Sequence, residues 1–260
     1  MQFKTLKTER DGPSLVITLD RPERRNALSI QCMNEIVAAA RMAESDTAAR
    51  AIILTGGTEY FSAGADLTEA IKVKTASDGI EYFRRFHRLC DALESLEKPV
   101  LAAIEGFCLT GGLELALACD IRVGAKGSTY AITSSRIGTV AGAGGTQRLP
   151  RIVGSANALE ILFAAEPISA EEAHRIGLIN RLTPKDEALV EAKRMAQIYE
   201  RRAPLSLAFV KRAVHRGMQM DLASGLELET FLVSAIYSTE DKQEGISAFL
   251  EKREAKFKGR

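Results

Sequence analysis

The residues best suited to chemistry lie near the middle of the chain, where a glycine turn precedes a single carboxylate. After the apolar stretch KPVLAAIEG (98–106), Gly111 and Gly112 begin an apolar helix whose first turn carries Glu114. The start of a helix presents unpaired N–H groups and a positive dipole end, which suit an oxyanion. Leucines and alanines surround Glu114, so burial is expected to raise its pKa and suit it to proton transfer. A structural role, in which Glu114 only complements the helix dipole, fits the same residues.

A second segment made of small residues, FSAGADL (61–67), follows an apolar run that ends in Thr55, Gly56 and Gly57. Small side chains let a ligand approach the backbone closely and leave peptide N–H groups free to donate. Tight turns of glycine and alanine are common, so this pattern alone indicates only a turn.

A third segment, AITSSRIGTVAGAGGTQRL (131–149), is rich in Gly, Ser and Thr and contains no acid, His or Cys. It lacks the Gly-Lys-Ser/Thr end of a phosphate-binding P-loop and the G-x-G-x-x-G spacing of a dinucleotide site. An apolar pattern resumes at once in Leu149, Ile152 and Val153, which argues against a flexible linker.

The elements that must position these segments alternate between short strands and helices. Two apolar periodicities, over 33–40 and 83–96, predict amphipathic helices between strands. The spacing suggests a repeated βα or ββα unit, hence an α/β fold. The strand candidates are LVITLDRP (15–22), ARAIILTGG (49–57), KPVLAAIEG (98–106) and CDIRVGA (119–125).

From about residue 155 the pattern becomes almost continuously helical. Ser169 and Glu172 predict a capping box, and Gly177 suits the end of that helix. The apolar residues of the tail could close the core or be buried on another subunit. The later helices are predicted at about 186–200, 204–216, 221–237 and 240–256.

Length and charge limit the function classes. A chain of 260 residues predicts one main domain, and 35 basic against 34 acidic residues give a net charge of +1, with nothing global that indicates nucleic acid or an anionic membrane. The four cysteines show no metal-binding spacing, so reduced, buried thiols are expected. The amino-terminal residues contain no apolar signal segment. We therefore expect a cytoplasmic protein, or one of an organellar matrix if a targeting segment has been removed.

An ordered set of motifs resembles the enoyl-CoA hydratase/isomerase (crotonase) superfamily along most of the chain. The resemblance is specific for the fold and for acyl-CoA thioesters, and much less specific for the reaction. The matching segments are LDRPERRNALS (19–29), FSAGADL (61–67), KPVLAAIEGFCLTGGLELALACDIRVGA (98–125), IGTVAGAGGTQRLPRIVG (137–154), ISAEEAHRIGLINRL (168–182) and the EKREAKF tail.

The resemblance implies a crotonase-like spiral core of repeated ββα units, here residues 1–200, and a C-terminal helical trimerisation region, here 201–260. A homotrimer or a dimer of trimers is implied as the assembly. The thioester oxygen would be held by the backbone N–H groups of Ala65 and Gly111, the oxyanion hole of the family. No metal or redox cofactor is implied, because coenzyme A is part of the substrate.

The family pattern also implies contacts to the CoA moiety. One position departs from it, because a lysine often found after the G-A-D segment is Thr68 here. Lys252 is one of several lysines that could replace its phosphate contact. The implied CoA-binding residues are Arg24, Arg25, Ala27, Ala63, Asp66, Leu67, Thr68 and Lys252.

The main departure from the family concerns the second catalytic acid. Typical hydratases of this family use two glutamates around the added water; one corresponds to Glu114, and the other position is Ser134. A serine hydroxyl cannot replace a carboxylate as acid or base near neutral pH, so Ser134 is expected to position water or substrate. A nucleophilic Ser134 is not favoured, because none of the histidines, at 87, 174 and 215, belongs to a triad-like motif. If the fold brings a histidine to Ser134, His87 is the best placed, because it follows FSAGADL on the next helix.

Three reactions are compatible with one carboxylate. Syn hydration is favoured, with Glu114 both activating water and returning a proton to the α-carbon. Double-bond isomerisation and decarboxylation of a malonyl-type thioester are the alternatives. An acyl-CoA-binding homologue with little catalysis is the alternative from another class, and RNA binding is disfavoured by the near-neutral charge.

Overall fold

The part of the chain described by the computed structural model, residues 3–260, contains nine strands and eleven α-helices. The strands are β1 Leu6–Asp11, β2 Ser14–Leu19, β3 Ala51–Thr55, β4 Val100–Ile104, β5 Phe107–Leu109, β6 Ile121–Ala125, β7 Thr129–Ala131, β8 Ile168–Ser169 and β9 Arg181–Thr183. The helices are α1 Ile30–Ser45, α2 Leu67–Ala70, α3 Ala76–Glu94, α4 Gly111–Leu117, α5 Gly145–Val153, α6 Ser155–Ala164, α7 Ala170–Arg175, α8 Ala188–Glu200, α9 Pro204–Gly217, α10 Leu222–Ile236 and α11 Glu240–Leu250. Two short 3-10 helices cover Pro22–Arg24 and Ser134–Ile137.

The strands form two sheets. The larger has the order β1-β2-β3-β4-β6-β9, in which β1 and β2 are antiparallel and the others pair in parallel. The smaller has the order β5-β7-β8, with β5 and β7 parallel. Parallel pairing requires crossover connections, and α1, α3 and α4 supply them. The architecture is the mixed α/β arrangement, with helices crossing between parallel strands, that the motifs predict.

Helices cover both faces of the larger sheet. On β3, Ile52 and Leu54 pack into the main core with α1 and α3, whereas Ile53 faces a second cluster formed with α8. This alternation follows from the period of two along a strand. Because both faces are covered, β3 and β4 are buried at every position and read as continuous apolar runs.

All four strands predicted from the apolar runs are present, as β2, β3, β4 and β6. The predicted helices over 33–40 and 83–96 are α1 and α3. Strands β1, β5, β7, β8 and β9 were not anticipated. All four cysteines are buried free thiols, as the composition predicts. None of the helices within residues 3–260 combines the length and apolarity that a membrane span requires.

Two local predictions need correction. The Ser169 side chain accepts a hydrogen bond from the Glu172 N–H, but the Glu172 carboxylate pairs with Arg175 rather than completing a capping box. The last helix ends at Leu250 instead of 256. The chain beyond it folds back, because the Asp241 carboxylate accepts the N–H groups of Lys258 and Gly259 at 2.6 and 2.8 Å.

The C-terminal helices leave much apolar surface uncovered. Helix α10 has no buried residue, and Lys211 anchors α9 to the body by bonding the Leu93 and Lys98 carbonyls and pairing with Asp120 at 2.9 Å. The most exposed apolar side chains of this region are Val210, Val214, Met218, Leu222, Phe231, Tyr237, Phe249 and Leu250.

Candidate active site

The segment containing Ala65 is paired along one edge with the segment containing Leu28. The Leu28 N–H donates to the Gly64 carbonyl at 2.7 Å, and the Asp66 N–H donates to the Leu28 carbonyl at 3.1 Å. Successive peptide groups of an extended chain point to opposite sides, so the Ala65 N–H is directed away from Leu28. Within residues 3–260 this N–H has no hydrogen-bond acceptor.

The Gly111 N–H lies beside that of Ala65. A Cβ atom added to Gly111 would lie 3.1 Å from the Ala65 nitrogen, and one added to Gly64 would lie 3.1 Å from the Gly111 nitrogen. Gly111 is the first residue of α4, where an N–H has no intrahelical partner, and no other acceptor is found in the described part of the chain. Two unengaged backbone donors therefore lie side by side.

Close packing of small residues brings these two segments together. A Cβ on Gly112 would lie 2.6 Å from the Ser62 Cβ atom, so only glycine fits there. The Ser62 hydroxyl donates to the Asn26 carbonyl at 2.7 Å and accepts the Gly64 N–H at 3.1 Å. The small residues of FSAGADL therefore make a packed junction, not a mere surface turn.

Glu114 is held in one orientation by the glycine-rich segment. Its Oε1 atom accepts the N–H groups of Ala143 and Gly145, both at 2.8 Å, and the residue is 2% exposed. The Oε2 atom has no hydrogen-bond partner among residues 3–260. One carboxylate oxygen is thus fixed, while the other is free to exchange a proton with a ligand.

Burial raises the pKa of Glu114 to about 7, although the two backbone hydrogen bonds and the nearby Arg148 guanidinium oppose that increase. The predicted burial of Glu114 is confirmed, and burial shifts the pKa of its carboxyl in the expected direction. A group with a pKa near neutrality can both accept and return a proton under physiological conditions.

This pKa makes stability depend on pH. Folded Glu114 keeps its proton up to pH about 7, whereas the unfolded chain releases it near 4.5. Between these values the folded state binds more protons, so stability falls as pH rises, by up to about 3 kcal/mol. A Glu114→Gln variant, always neutral, should therefore melt several degrees above the wild type at pH 8.5 and nearly with it at pH 5, at roughly 2–4 °C per kcal/mol.

Thermal unfolding at both pH values measures this difference, with Glu254→Gln as the control. Glu254 is exposed and forms no ion pair within the described residues, so that variant should show no pH-dependent gain. An equal gain for Glu114→Gln at both pH values would contradict the assignment of a raised pKa.

Ser134 lies at the start of a 3-10 helix and is 4% exposed. The preceding Thr133 is tied to the Gly111 turn, because its hydroxyl lies 2.8 Å from that of Thr110 and its N–H donates to the same Thr110 oxygen at 3.2 Å. The Ser134 hydroxyl has no hydrogen-bond partner within residues 3–260. The segment 131–145 therefore connects to the Gly111 turn at one end and to Glu114 at the other.

No histidine bonds to Ser134 in the described part of the chain. The Nε2 atom of His87 lies 2.8 Å from the Gly142 carbonyl oxygen, and that of His215 lies 3.1 Å from Asp120. His174 is exposed on α7. These contacts give Ser134 no activating base.

The residues implied for CoA fall into two groups. One group lies together and consists of Arg25, Ala27, Ala63 and Asp66. The Ala63 N–H donates to the Arg25 carbonyl at 3.0 Å, and the hydrogen bonds of Leu28 to Gly64 and Asp66 join the same two segments further along. Arg24 and Leu67 are exposed next to them. The Lys252 side chain belongs to the C-terminal region, and within residues 3–260 no hydrogen bond or ion pair joins it to this group. Among residues 3–260, Arg24, Arg25 and Lys252 form no ion pair.

Two implied CoA residues already have structural roles. The Asp66 carboxylate pairs with Arg21 at 2.9 Å and caps α2 by accepting the Thr68 N–H. Burial raises the pKa of Asp66, but the hydrogen bonds from Thr68 and Arg21 outweigh it and keep that pKa below the usual range. The Thr68 hydroxyl also donates to Asp66, at 2.7 Å. These side chains have little capacity left for a ligand.

Sequence reasoning missed three residues that shape the site. Arg21 pairs with Asp66, and the buried Asn26 bonds the Gly56 carbonyl at 3.0 Å with φ of 55°. Arg148 bonds Glu94 through two nitrogens, at 2.6 and 2.9 Å. Asn26 alone carried a signal, since asparagine tolerates a positive φ better than most residues.

Comparison with known proteins gives one consistent family. The family model described as enoyl-CoA hydratase/isomerase matches residues 10–260. A short-chain-enoyl-CoA hydratase of Clostridium acetobutylicum is 37% identical over 100% of both chains, and a crotonyl-CoA hydratase of Syntrophomonas wolfei is 36% identical over 99% of both.

Solved structures agree with these relatives. The crystal structure of an enoyl-CoA hydratase from Bacillus anthracis superposes with a TM-score of 0.94 at 32% identity, covering 99% of this chain and 100% of that one. An enoyl-CoA hydratase subunit from Geobacillus kaustophilus gives the same TM-score at 35% identity, covering 100% of both chains.

Proposed function

Because this chain belongs to the enoyl-CoA hydratase/isomerase family, we propose that it adds water across the double bond of a 2-enoyl-CoA thioester with Glu114 as its single proton-transferring side chain. Relatives named as enoyl-CoA hydratases, 35–37% identical over nearly the whole chain, make it a hydratase-type enzyme of the lyase class. The observation that carries the mechanism is the Glu114 carboxylate, which has one oxygen fixed and one free.

In the proposed reaction the thioester oxygen accepts hydrogen bonds from the Ala65 and Gly111 N–H groups. Ionised Glu114 takes a proton from water through Oε2 as the water oxygen bonds to the β-carbon. The electron pair of the carbon–carbon double bond forms a new double bond between the α-carbon and the thioester carbon, and the carbonyl pair moves onto the thioester oxygen. The resulting enolate is stabilised by the two donors. Glu114 then returns its proton to the α-carbon, so one water is added and the carboxylate is regenerated.

The proposal assigns Ser134 a positioning role. The residue is buried, and its hydroxyl has no partner among residues 3–260 and is free to bond the added water or a substrate oxygen. Coenzyme A enters only as part of the substrate. We propose that its phosphates contact Arg24, Arg25 and Lys252, whose side chains have no carboxylate partner in the described structure, and that Ala27, Ala63 and Leu67 contact the pantetheine.

We further propose that residues 201–260 form an oligomerisation region separate from the core of residues 1–200. The exposed apolar side chains of α9, α10 and α11 support a homotrimer or a dimer of trimers, which analytical ultracentrifugation tests. Charge balance supports the absence of nucleic-acid and membrane partners, and four buried free thiols support a cytoplasmic location.

Turnover of crotonyl-CoA, a 3-enoyl-CoA and malonyl-CoA by the same preparation tests the proposed function. Hydration of crotonyl-CoA should be the fastest of the three reactions. Faster isomerisation or decarboxylation would replace the proposal with that chemistry, and binding of all three thioesters without turnover would favour a binding protein.

Restoring a carboxylate at position 134 tests whether the site is a hydratase site with one acid. Ser134→Glu should raise the kcat for crotonyl-CoA hydration by about tenfold or more, since a general acid typically contributes about 10²- to 10⁴-fold. Ser134→Gln is the matched control, with the same size and no ionisable group, and should give no gain. Absence of a gain with Glu would indicate a pocket arranged for another reaction.

A further inference from the structure

One side of helix α3 packs against the glycine-rich loop, residues 138–145. A Cβ on Gly142 would lie 2.5 Å from the Cε1 atom of Phe83. The Cys90 Sγ atom lies 3.6 Å from the Ala143 carbonyl oxygen. His87, between them on the helix, has its Nε2 atom 2.8 Å from the Gly142 carbonyl oxygen. The helix therefore fixes the middle of the loop.

The His87 contact involves the same peptide group that holds Glu114. The Gly142 carbonyl and the Ala143 N–H belong to one planar trans peptide, so they point in opposite directions. His87 lies on the carbonyl side, and Glu114 Oε1 lies 2.8 Å from the nitrogen on the other. Because a carbonyl only accepts, the His87 Nε2 atom carries a proton and donates.

The second peptide that holds Glu114 has no comparable side-chain partner. Its N–H is that of Gly145, and its carbonyl, that of Gly144, accepts the backbone N–H groups of Gln147 and Arg148 at 3.0 and 2.7 Å. Within residues 3–260, His87 is therefore the one side chain, apart from Glu114 itself, that hydrogen-bonds either of the two peptides that donate to Glu114.

We propose that His87 is a positioning residue for Glu114, acting through the Gly142–Ala143 peptide. By donating to the carbonyl, it orients the Ala143 N–H and strengthens it as a donor, since hydrogen bonds in series polarise one another. A stronger donor favours the ionised carboxylate that accepts a proton from water. This role rests on the proposed function of Glu114.

Other charged groups near this peptide stay constant when His87 is changed. Arg148 on α5, with its partners Asp91 and Glu94 on α3, lies on the Ala143 side. Arg84 and Arg88 belong to the same helix as His87, and residues 138–145 include no titratable side chain.

His87→Leu and His87→Gln separate the hydrogen bond from the side-chain volume. The glutamine Nε2 atom is as many bonds from Cβ as the histidine Nε2 atom, so Gln can donate to the Gly142 carbonyl and Leu cannot. Arg88→Leu is the matched control, because Arg88 is exposed on the same helix and its one hydrogen-bond partner within residues 3–260 is the Arg84 carbonyl of its own helix.

Two readouts are needed. The Glu114 carboxyl band is titrated by infrared difference spectroscopy against Glu114→Gln, and the kcat for crotonyl-CoA is measured across pH. His87→Leu should raise the Glu114 pKa by roughly 0.2–0.6 pH unit, because it should weaken the charge-assisted hydrogen bond from the Ala143 N–H to Glu114 by about 10–30%. The kcat below pH 7 should fall roughly two- to fourfold, as that shift requires. His87→Gln and Arg88→Leu should match the wild type.

A wild-type Glu114 pKa in His87→Leu would overturn the proposal, even if kcat changed. A shift that His87→Gln fails to reverse would also overturn it, because the donor would not be the cause. A third outcome is the expected pKa increase in His87→Leu, with the wild-type pKa restored in His87→Gln, in a protein that turns over no thioester. That result would support the role of His87 and reject the proposed function, so the two are separable.

Discussion

A Glu114→Gln variant should lose about 10²- to 10⁴-fold in kcat for crotonyl-CoA hydration, the range that general acid–base catalysis contributes. The substitution is nearly isosteric. The amide oxygen of Gln can still accept the Ala143 and Gly145 N–H groups that hold Oε1, so the orientation of the side chain should be preserved. The proton-exchanging Oε2 position alone is lost, and KM should change little.

The pH profile supplies an independent check on that result. Glu114 must be ionised to accept a proton from water, so the wild-type kcat should rise with pH through about 7 and then level off. The residual rate of Glu114→Gln should lack this step. Full activity in the Gln variant, or a wild-type rate that falls through this range, would show that Glu114 is not the base.

Removing the Ala65 N–H should lower kcat by about 10²- to 10³-fold, the usual effect of losing one oxyanion donor. Lactic acid incorporated in place of Ala65 changes the amide to an ester and keeps the methyl side chain. The Leu28 pairing should survive, because it uses the Gly64 carbonyl and the Asp66 N–H. The developing charge on the thioester oxygen would then have the Gly111 donor alone.

The matched control is the same ester at Ala76. Its N–H is at the exposed first turn of α3 and has no acceptor within residues 3–260, so kcat should be unaffected. Equal activity of the Ala65 and Ala76 esters would remove Ala65 from the proposed oxyanion hole. Tight binding of a saturated acyl-CoA by the Ala65 ester would show that the loss lies in turnover, not in assembly of the site.

A proline at position 111 is a poorer probe of the other donor. Proline lacks an N–H and is tolerated at the first position of a helix. The residue before a proline, however, is restricted to extended conformations, and Thr110 has φ of 45° and ψ of −113°. Any loss of activity in Gly111→Pro would therefore have two inseparable causes, the missing donor and the displacement of Thr110 from its contact with Thr133.

The local character of Glu114 could be predicted, but its partners could not. Its apolar neighbours in sequence indicate burial, and burial raises its pKa. The donors that hold it, Ala143 and Gly145, are 29 and 31 residues away. Nothing in local composition identifies such partners, because the fold alone brings them together. The His87 contact to Gly142, 55 residues away, escaped prediction for the same reason.

The strands show a similar division. Runs such as β3 and β4 are continuously buried and largely apolar over five residues each, so composition alone predicts them. Strands β5, β7 and β8 have only two or three residues, too few for an alternating pattern, and they exist because they pair with one another. At the other end of the chain, good helix formers continue past Leu250, yet the Asp241 contacts to Lys258 and Gly259 override that propensity.

The two neighbouring donors at Ala65 and Gly111 belong to the backbone, whereas Glu114 and Ser134 are side chains. A point mutation can replace a side chain outright, but it reaches a peptide N–H only by moving the chain or by introducing proline. In the proposed mechanism, charge stabilisation by these donors is therefore resistant to mutational drift, whereas proton transfer by Glu114 is open to it. A chain built this way can change its reaction one residue at a time and keep its chemistry at the thioester.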